Sequence, residues 1–361
     1  MRSTQIPSFH KAIAFNYLKH YHFTLTLELH RMSRVNLAAL LLLGLLLVMP
    51  QQSMQASLID SIAEIEKSNC KVAHLRLGLV FTSDVNERAL KDSGLYSPDS
   101  EDSSVDIAGR RFHSGTLNGS SIVYVKTGSA SVNMATALQI LLARFQIHGV
   151  IYFGNAGSLD KKTMVPGDVS VPQAVAFTGV WNWKKFGAEE KGHLVFGDFN
   201  YPENGENLLG TVEYEKINMF TPSEAPKEVF WLPITASWYE AATNKLKDMK
   251  LRECYSDKCL PGKPKVVFGS KGSTSDFYVR NKAYGDFLNK NFDAKTADTA
   301  SASVALTSMS NEKLFVVFQG VSNIAGETSS NSGVSYLASY NAMLAATKFI
   351  NSIPTPRLAC E

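Results

Sequence analysis

Two rhythms of apolar positions run along this chain. Ser131 to Gln146 (SVNMATALQILLARFQ) is rich in good helix formers and free of glycine and proline, so it predicts a long helix with Ser131 as N-cap. Leu58, Ile59, Ile62 and Ile65 recur at helical spacing within Ser57 to Ser68 and predict a short amphipathic helix. Further helices are expected over Ser237–Met249, Asp276–Asn289, Asp298–Met309 and Val334–Ile350. Between them lie strand-like runs: Val72–Phe81, Ser121–Lys126, Lys265–Ser270 and Leu314–Val321. His148–Phe153 (HGVIYF) is almost wholly apolar, as a buried central strand should be. Gly167–Phe177 is strand-like but contains Pro172, which breaks it or places it at an edge.

Apolar strands alternating with crossover-length helices define an α/β protein with a mixed, twisted central sheet flanked by helices. Residues 94–106 and 198–230 read as exposed loops, the first rich in Ser and Asp, the second in Asn, Glu, Pro and Gly. No internal repeat and no linker divides residues 57–361, so they are expected to form a single domain.

The N-terminus changes the picture of composition. Leu37–Val48 is a run of 12 apolar residues, too short to cross a membrane comfortably. Arg34 precedes it and a small polar stretch follows, which is the layout of a secretory signal peptide over 32–56, cleaved after Ala56. Residues 1–31 read as a non-structural extension, with translation starting at Met32. Without residues 1–56 the chain carries 31 Lys and Arg against 32 Asp and Glu, a net charge of −1. The basicity of the whole chain therefore belongs to the leader. No basic stripe remains, which argues against nucleic acid as a partner, and no membrane association is expected once the leader is removed.

In a secreted chain Cys254 and Cys259, with four residues between them, read as a small-loop disulfide; without a His cluster they do not build a metal site. Cys70 and Cys360 are the other candidate pair. Asn118-Gly119-Ser120 is a glycosylation sequon, usable in the secretory pathway and open to either occupancy.

Several segments in fixed order resemble one family. They are Gly109–Phe112, Thr127–Asn133, Gly149–Ser158, Pro166–Val169 and Phe318–Gly326. Together they look like the nucleoside phosphorylase and methylthioadenosine nucleosidase superfamily, over about residues 72–352. Gly179–Trp183, the Cys254/Cys259 pair and Phe277–Tyr284 are similar to its plant bark and vegetative storage protein branch. The resemblance implies a nucleoside phosphorylase-like fold, homo-oligomerisation and a site for a purine nucleoside or base. It places Gly128, Gly154, Asn155, Ala156, Gly157, Phe277, Asp298, Ala300 and Ser322 around that site, with Asn323 at the catalytic acid position. Without the resemblance, Gly154-Asn155-Ala156-Gly157 is only a strand followed by a glycine turn.

Cleavage of an N-glycosidic bond is helped by a positioned acid that protonates the leaving base, an effect of roughly 10²–10⁴-fold. The family pattern carries Asp where this chain has Asn323, and an amide cannot deliver a proton at neutral pH. Asn at a comparable place also serves the trimeric branch for 6-oxopurines, so that change alone does not exclude an enzyme. Ala300 stands where a Glu would hold the ribose hydroxyls, and Thr299 where a Met would pack under the sugar. Gln319 replaces an Arg whose fork of donors suits anions and carboxylates. Ala130 replaces a glycine, a mild change on sequence grounds. A slip of register in this segment would let Asp298 take the Glu role, and Asp276 is the best spare acid. Trp181 and Trp183 have strand spacing, which suits packing better than base stacking. His113 and His148 are isolated.

The resulting expectation is a nitrogen-storage protein, vacuolar or extracellular, with a degenerate nucleoside site and no cofactor or metal. The competing expectation is an active nucleosidase or phosphorylase acting on purine or cytokinin ribosides, with phosphate as co-substrate.

Overall fold

A computed structural model describes residues 75–353 of the chain, apart from 102, 185–197, 200–210, 257 and 328–331. The fold below is that of the described residues within the unit Ala73–Ala359. The expected leader, the helix over Ser57–Ser68, Cys70 and Cys360 lie outside the described residues. Among the described residues no helix is long and apolar enough to cross a membrane.

The chain enters its sheet as β1 (Arg76–Phe81) and turns through α1 (Asp84–Asp92) into β2 (Tyr96–Pro98), β3 (Ser104–Ile107), β4 (Arg110–Leu117) and β5 (Ser120–Lys126). Helix α2 (Ser131–Arg144) leads to the long β6 (Ile147–Ser158). Then come β7 (Val169–Val171) and β8 (Ala174–Phe177), parted at Pro172 as its missing N–H requires. The second half runs β9 (Leu232–Pro233), α3 (Ala236–Leu246), β10 (Val266–Phe268), β11 (Lys271–Thr274) and α4 (Lys282–Phe292). It ends with β12 (Ala294–Asp298), α5 (Ser301–Ser310), β13 (Leu314–Ile324) and α6 (Ser332–Ile350).

These strands form one mixed sheet in the order β9-β8-β11-β12-β6-β1-β5-β4-β2, with β13 on β6 and β7, β10 on β7 and β3 on β4. Strand β6 pairs parallel with β1 and with β13, and antiparallel with β12. It is therefore the strand on which the sheet converges, and its apolar run Val150–Phe153 is fully buried. Helix α6 rests directly on β13: a Cβ at Gly320 would lie 2.1 Å from the carbonyl oxygen of Ala338, so only glycine fits there. Helix α5 is made of small residues, and Ala302, Val304 and Ala305 are fully buried. A second apolar cluster gathers Tyr214, Phe230, Leu288 and Phe292, with Tyr214 and Phe292 ring centroids 4.9 Å apart.

The architecture matches the expected α/β class, and the differences have local causes. The 94–106 segment is not all loop, because β2 and β3 pair antiparallel with β4. The 198–230 excursion contains strands as well: Thr211–Tyr214 pairs with Trp181–Lys184, and Ile217–Met219 with Lys227–Val229. Strands β11 (KGST) and β12 (AKTAD) were unforeseen, because their polar composition hides a buried position in the sheet. The expected helix Asp298–Met309 begins only at Ser301, since Asp298 closes β12. The helix expected from Asp276 starts at Lys282, where the Asn281 side chain accepts the Tyr284 N–H at 2.9 Å.

Ser131 is not a cap. Ala130 holds that position without a side-chain bond, and Asp276 Oδ1 accepts the Ser131 N–H at 2.6 Å across 145 residues. Cys254 and Cys259 are disulfide-bonded across a two-stranded hairpin, Cys254–Tyr255 with Lys258–Cys259. Asn118 is exposed at the tight turn between β4 and β5, with φ of 48°.

Candidate nucleoside site

At the carboxyl ends of β6, β12 and β13, beside the start of α1, lies a cavity of about 450 Å³. This is where ligands bind in open α/β sheets. Its wall takes Asn155, Ala156 and Gly157 from β6, and Ala297, Asp298 and Thr299 from the β12 end. Ser322 and Asn323 come from β13, Phe277–Arg280 from the loop before α4, and Thr82, Ser83 and Ser129 from the turns opposite.

Eight of the residues singled out in the sequence meet in this wall: Asn155, Ala156, Gly157, Phe277, Asp298, Thr299, Ser322 and Asn323. Gly128, Gly154 and Ala300 do not line it. Gly128 serves the turn into α2 with φ of 82°. Gly154 makes room for Tyr152, whose hydroxyl oxygen would stand 2.3 Å from a Cβ there. Ala300 is fully buried at the start of α5, so a Glu at this position would have to displace core neighbours.

Asp298 is the hub beneath the cavity. Its Oδ1 accepts the backbone N–H of Ala300 at 3.2 Å and of Ser301 at 3.1 Å, and the Thr274 hydroxyl at 2.7 Å. Its Oδ2 accepts the Gln319 amide at 2.9 Å and the Ser301 hydroxyl. The carboxylate thus caps α5 and ties it to β11 and β13. Both oxygens are engaged by the fold, so Asp298 is not a free grip for ribose hydroxyls.

Gln319 also acquires a different meaning. It is fully buried, donates to Asp298 and to Ser301 Oγ at 3.1 Å, and accepts the Thr296 hydroxyl at 2.7 Å. Position 319 faces an internal carboxylate, not the cavity. A neutral amide there keeps a bond to Asp298 without a cation.

Asn323 does face the cavity. Its Nδ2 donates to the carbonyl of Ile324 at 3.2 Å and its Oδ1 accepts the Ser322 hydroxyl at 3.0 Å. One amide hydrogen and one lone pair remain for a ligand, and neither is an acidic proton. Asn155 donates to the carbonyl and hydroxyl of Ser335, at 3.0 and 2.8 Å, and accepts from the buried Asn86 at 3.3 Å. Asn86 was not foreseen. The signal for it was the Ser83-x-x-Asn86 spacing, a reciprocal cap of α1.

Among the described residues the carboxylates in the wall are Asp298 and Glu327. Glu327 is exposed and sits 3.7 Å from Lys161. Burial raises the Tyr284 phenol, near Phe277, to about 12, so it stays protonated at neutral pH. Among the described residues no group of three or more His, Cys, Asp or Glu is placed to hold a metal.

Asp276, exposed, meets the N-terminus of α2 and puts the protein's own negative charge where that helix end would attract an anion. Trp181 and Trp183 touch each other, with centroids 6.0 Å apart, and neither lines the cavity. His113 stacks on Tyr124 at 4.5 Å and His148 lies against Trp238 at 6.1 Å, both away from it.

Fold and cavity together define a phosphorylase-type protein. The model of the phosphorylase superfamily matches residues 83–351, and the chain belongs to that family. Within it, the chain is 92% identical to bark storage protein A of Populus deltoides, over 87% of this chain and all of that protein. Bark storage protein B of the same species is 90% identical over the same shares. Among solved structures, a 5'-methylthioadenosine/S-adenosylhomocysteine nucleosidase of Colwellia psychrerythraea, in complex with adenine, superposes with a TM-score of 0.54 at 20% identity. It covers 78% of this chain and 96% of that one. That likeness shows the fold.

Proposed function

We propose that this chain is a nitrogen-storage protein that keeps the phosphorylase fold and a cavity for a purine base or nucleoside, but lacks the proton donor for N-glycosidic cleavage. The observation that carries the reading is the amide of Asn323 facing the cavity at the acid position. Asp298 holds the fold together, and Glu327 lies at the exposed rim. Losing a general acid removes roughly 10²–10⁴-fold in rate. The near-identity to two proteins named for bark storage supports the storage role. Asp276 on the α2 N-terminus disfavours phosphate as an acceptor, because two negative charges would share one helix end.

The remaining parts of the reading rest on the sequence. The segment 32–56 directs the chain into the secretory pathway, where the Cys254–Cys259 disulfide can form and Asn118, exposed at a turn, is open to glycosylation. The compartment is the vacuole or the extracellular space, and the protein is a homo-oligomer there. The test is release of free base from inosine, adenosine and a cytokinin riboside, with and without phosphate, by the purified protein beside Asn323→Asp. Turnover by the unaltered protein roughly 10²–10⁴-fold slower than by the variant is the expected result. Clear turnover by the unaltered protein overturns the storage-only reading.

A further inference from the structure

The disulfide hairpin lies outside the cavity, and nothing in the proposed function uses it. Both Cys254 and Cys259 are exposed. The hairpin they close has two residues in each strand, and a two-stranded hairpin is marginal in water without a staple. Yet it is packed firmly on α6. The Tyr255 and Tyr336 ring centroids are 4.0 Å apart, and the Arg88 guanidinium covers Tyr336 at 4.6 Å. Arg252 covers Tyr340 at 4.4 Å. Asn341 binds both the N–H and the carbonyl of Arg252, at 2.8 and 3.1 Å.

Tyr336 is in the first turns of α6, and its neighbour Ser335 holds the cavity residue Asn155 through two hydrogen bonds. The hairpin therefore reaches the cavity wall through three consecutive contacts: Tyr255 to Tyr336, Ser335 to Asn155, and Asn155 to the cavity.

We propose that Cys254–Cys259 is a thiol–disulfide exchange site for dithiol reductants, and that its redox state sets the order of the α6 N-terminal turns that position Asn155. A thiolate of the dithiol attacks one exposed sulfur, forming a mixed disulfide and releasing the other cysteine as a thiolate. The second thiol of the reductant then closes on the mixed disulfide, releasing the remaining cysteine. Two electrons pass from the dithiol, which leaves as a cyclic disulfide, and the two cysteine sulfurs take up the protons it gives off. With the staple gone the short hairpin frays, Tyr255 leaves Tyr336, and the first turns of α6 open locally while the sheet remains intact. This proposal does not depend on what the cavity binds.

The test is hydrogen exchange read by mass spectrometry on the intact full chain. It compares the oxidised protein, the same protein under non-denaturing dithiothreitol, and the Cys254→Ser/Cys259→Ser double variant. Native-state alkylation with iodoacetamide reports whether the disulfide opened. The expected result is ready reduction, with exchange faster by about tenfold at residues 332–340 and 153–157 and unchanged at 76–81, in both the reduced protein and the variant. A disulfide that resists dithiothreitol in the folded protein overturns the proposal. So does reduction that leaves exchange at 332–340 unchanged, or that accelerates it everywhere alike.

Discussion

Replacing Asp298 by Asn tests whether this carboxylate belongs to the fold or to a ligand. It accepts five hydrogen bonds, two from backbone N–H groups, two from hydroxyls and one from Gln319. An Asn keeps one oxygen for Ala300, Ser301 and Thr274 and turns an NH₂ toward Gln319 Nε2 and Ser301 Oγ. The Ser301 hydroxyl can rotate to accept, but the Gln319 amide, held through its oxygen by Thr296, cannot turn without losing that bond. One charge-assisted bond is lost outright and three are weakened to neutral ones, against some relief from no longer burying a charge. At about 1.5–3 kcal/mol for a bond to a charged group, the net loss is about 3 kcal/mol. Urea denaturation followed by circular dichroism measures it. The thermal midpoint should fall by about 6–12 °C, given about 2–4 °C per kcal/mol for a domain of this size. A loss below about 1 kcal/mol refutes the reasoning and returns Asp298 to the list of free ligand groups.

Three further outcomes follow from the same structure. Ala130 has φ of 78°, a backbone region that glycine occupies freely, so Ala130→Gly should stabilise the protein by about 1 kcal/mol in the same denaturation assay. Gly320→Ala drives a Cβ into the backbone of α6 and should cost about 3 kcal/mol or prevent soluble expression. Glu87 is opposed by its burial, but hydrogen bonds from Lys126 and Lys91 hold its pKa down to about 2 against an ordinary 4.5. Its stabilisation is complete above pH 4.5 and is lost as pH falls toward 2. The stability gap between the protein and Glu87→Gln should therefore shrink across that window when unfolding is measured as a function of pH.

Much of the fold was legible because its central strands are apolar without interruption and its long helices lack breakers. The misses share a cause, which is that long-range pairing outweighed local composition. KGST and AKTAD carry polar letters yet lie inside the sheet, where neighbouring strands satisfy their backbone and buried networks satisfy their side chains. The cap of α2 is supplied by Asp276, too distant in sequence for Ser131 to reveal it. The candidate site was legible at β6 and at the β13 end, where residues 155–157, 322 and 323 meet. What each residue does there was less so. Gln319, read as a lost anion fork, is an internal partner of Asp298. Ala130, read as a mild change, carries backbone strain. Thr82, Ser83 and Asn86 carried only a capping pattern and gave no sign that the start of α1 borders the cavity.

Position 323 offers an amide where cleavage needs an acid. The most direct measurement is base release from adenosine by the unaltered protein at high concentration, followed by chromatography for hours at several pH values between about 5 and 8. Release by the unaltered protein is expected to be roughly 10²–10⁴-fold slower than by Asn323→Asp at every pH. A bell-shaped or sigmoidal pH–rate profile from the unaltered protein would reveal a working acid at the site and contradict it.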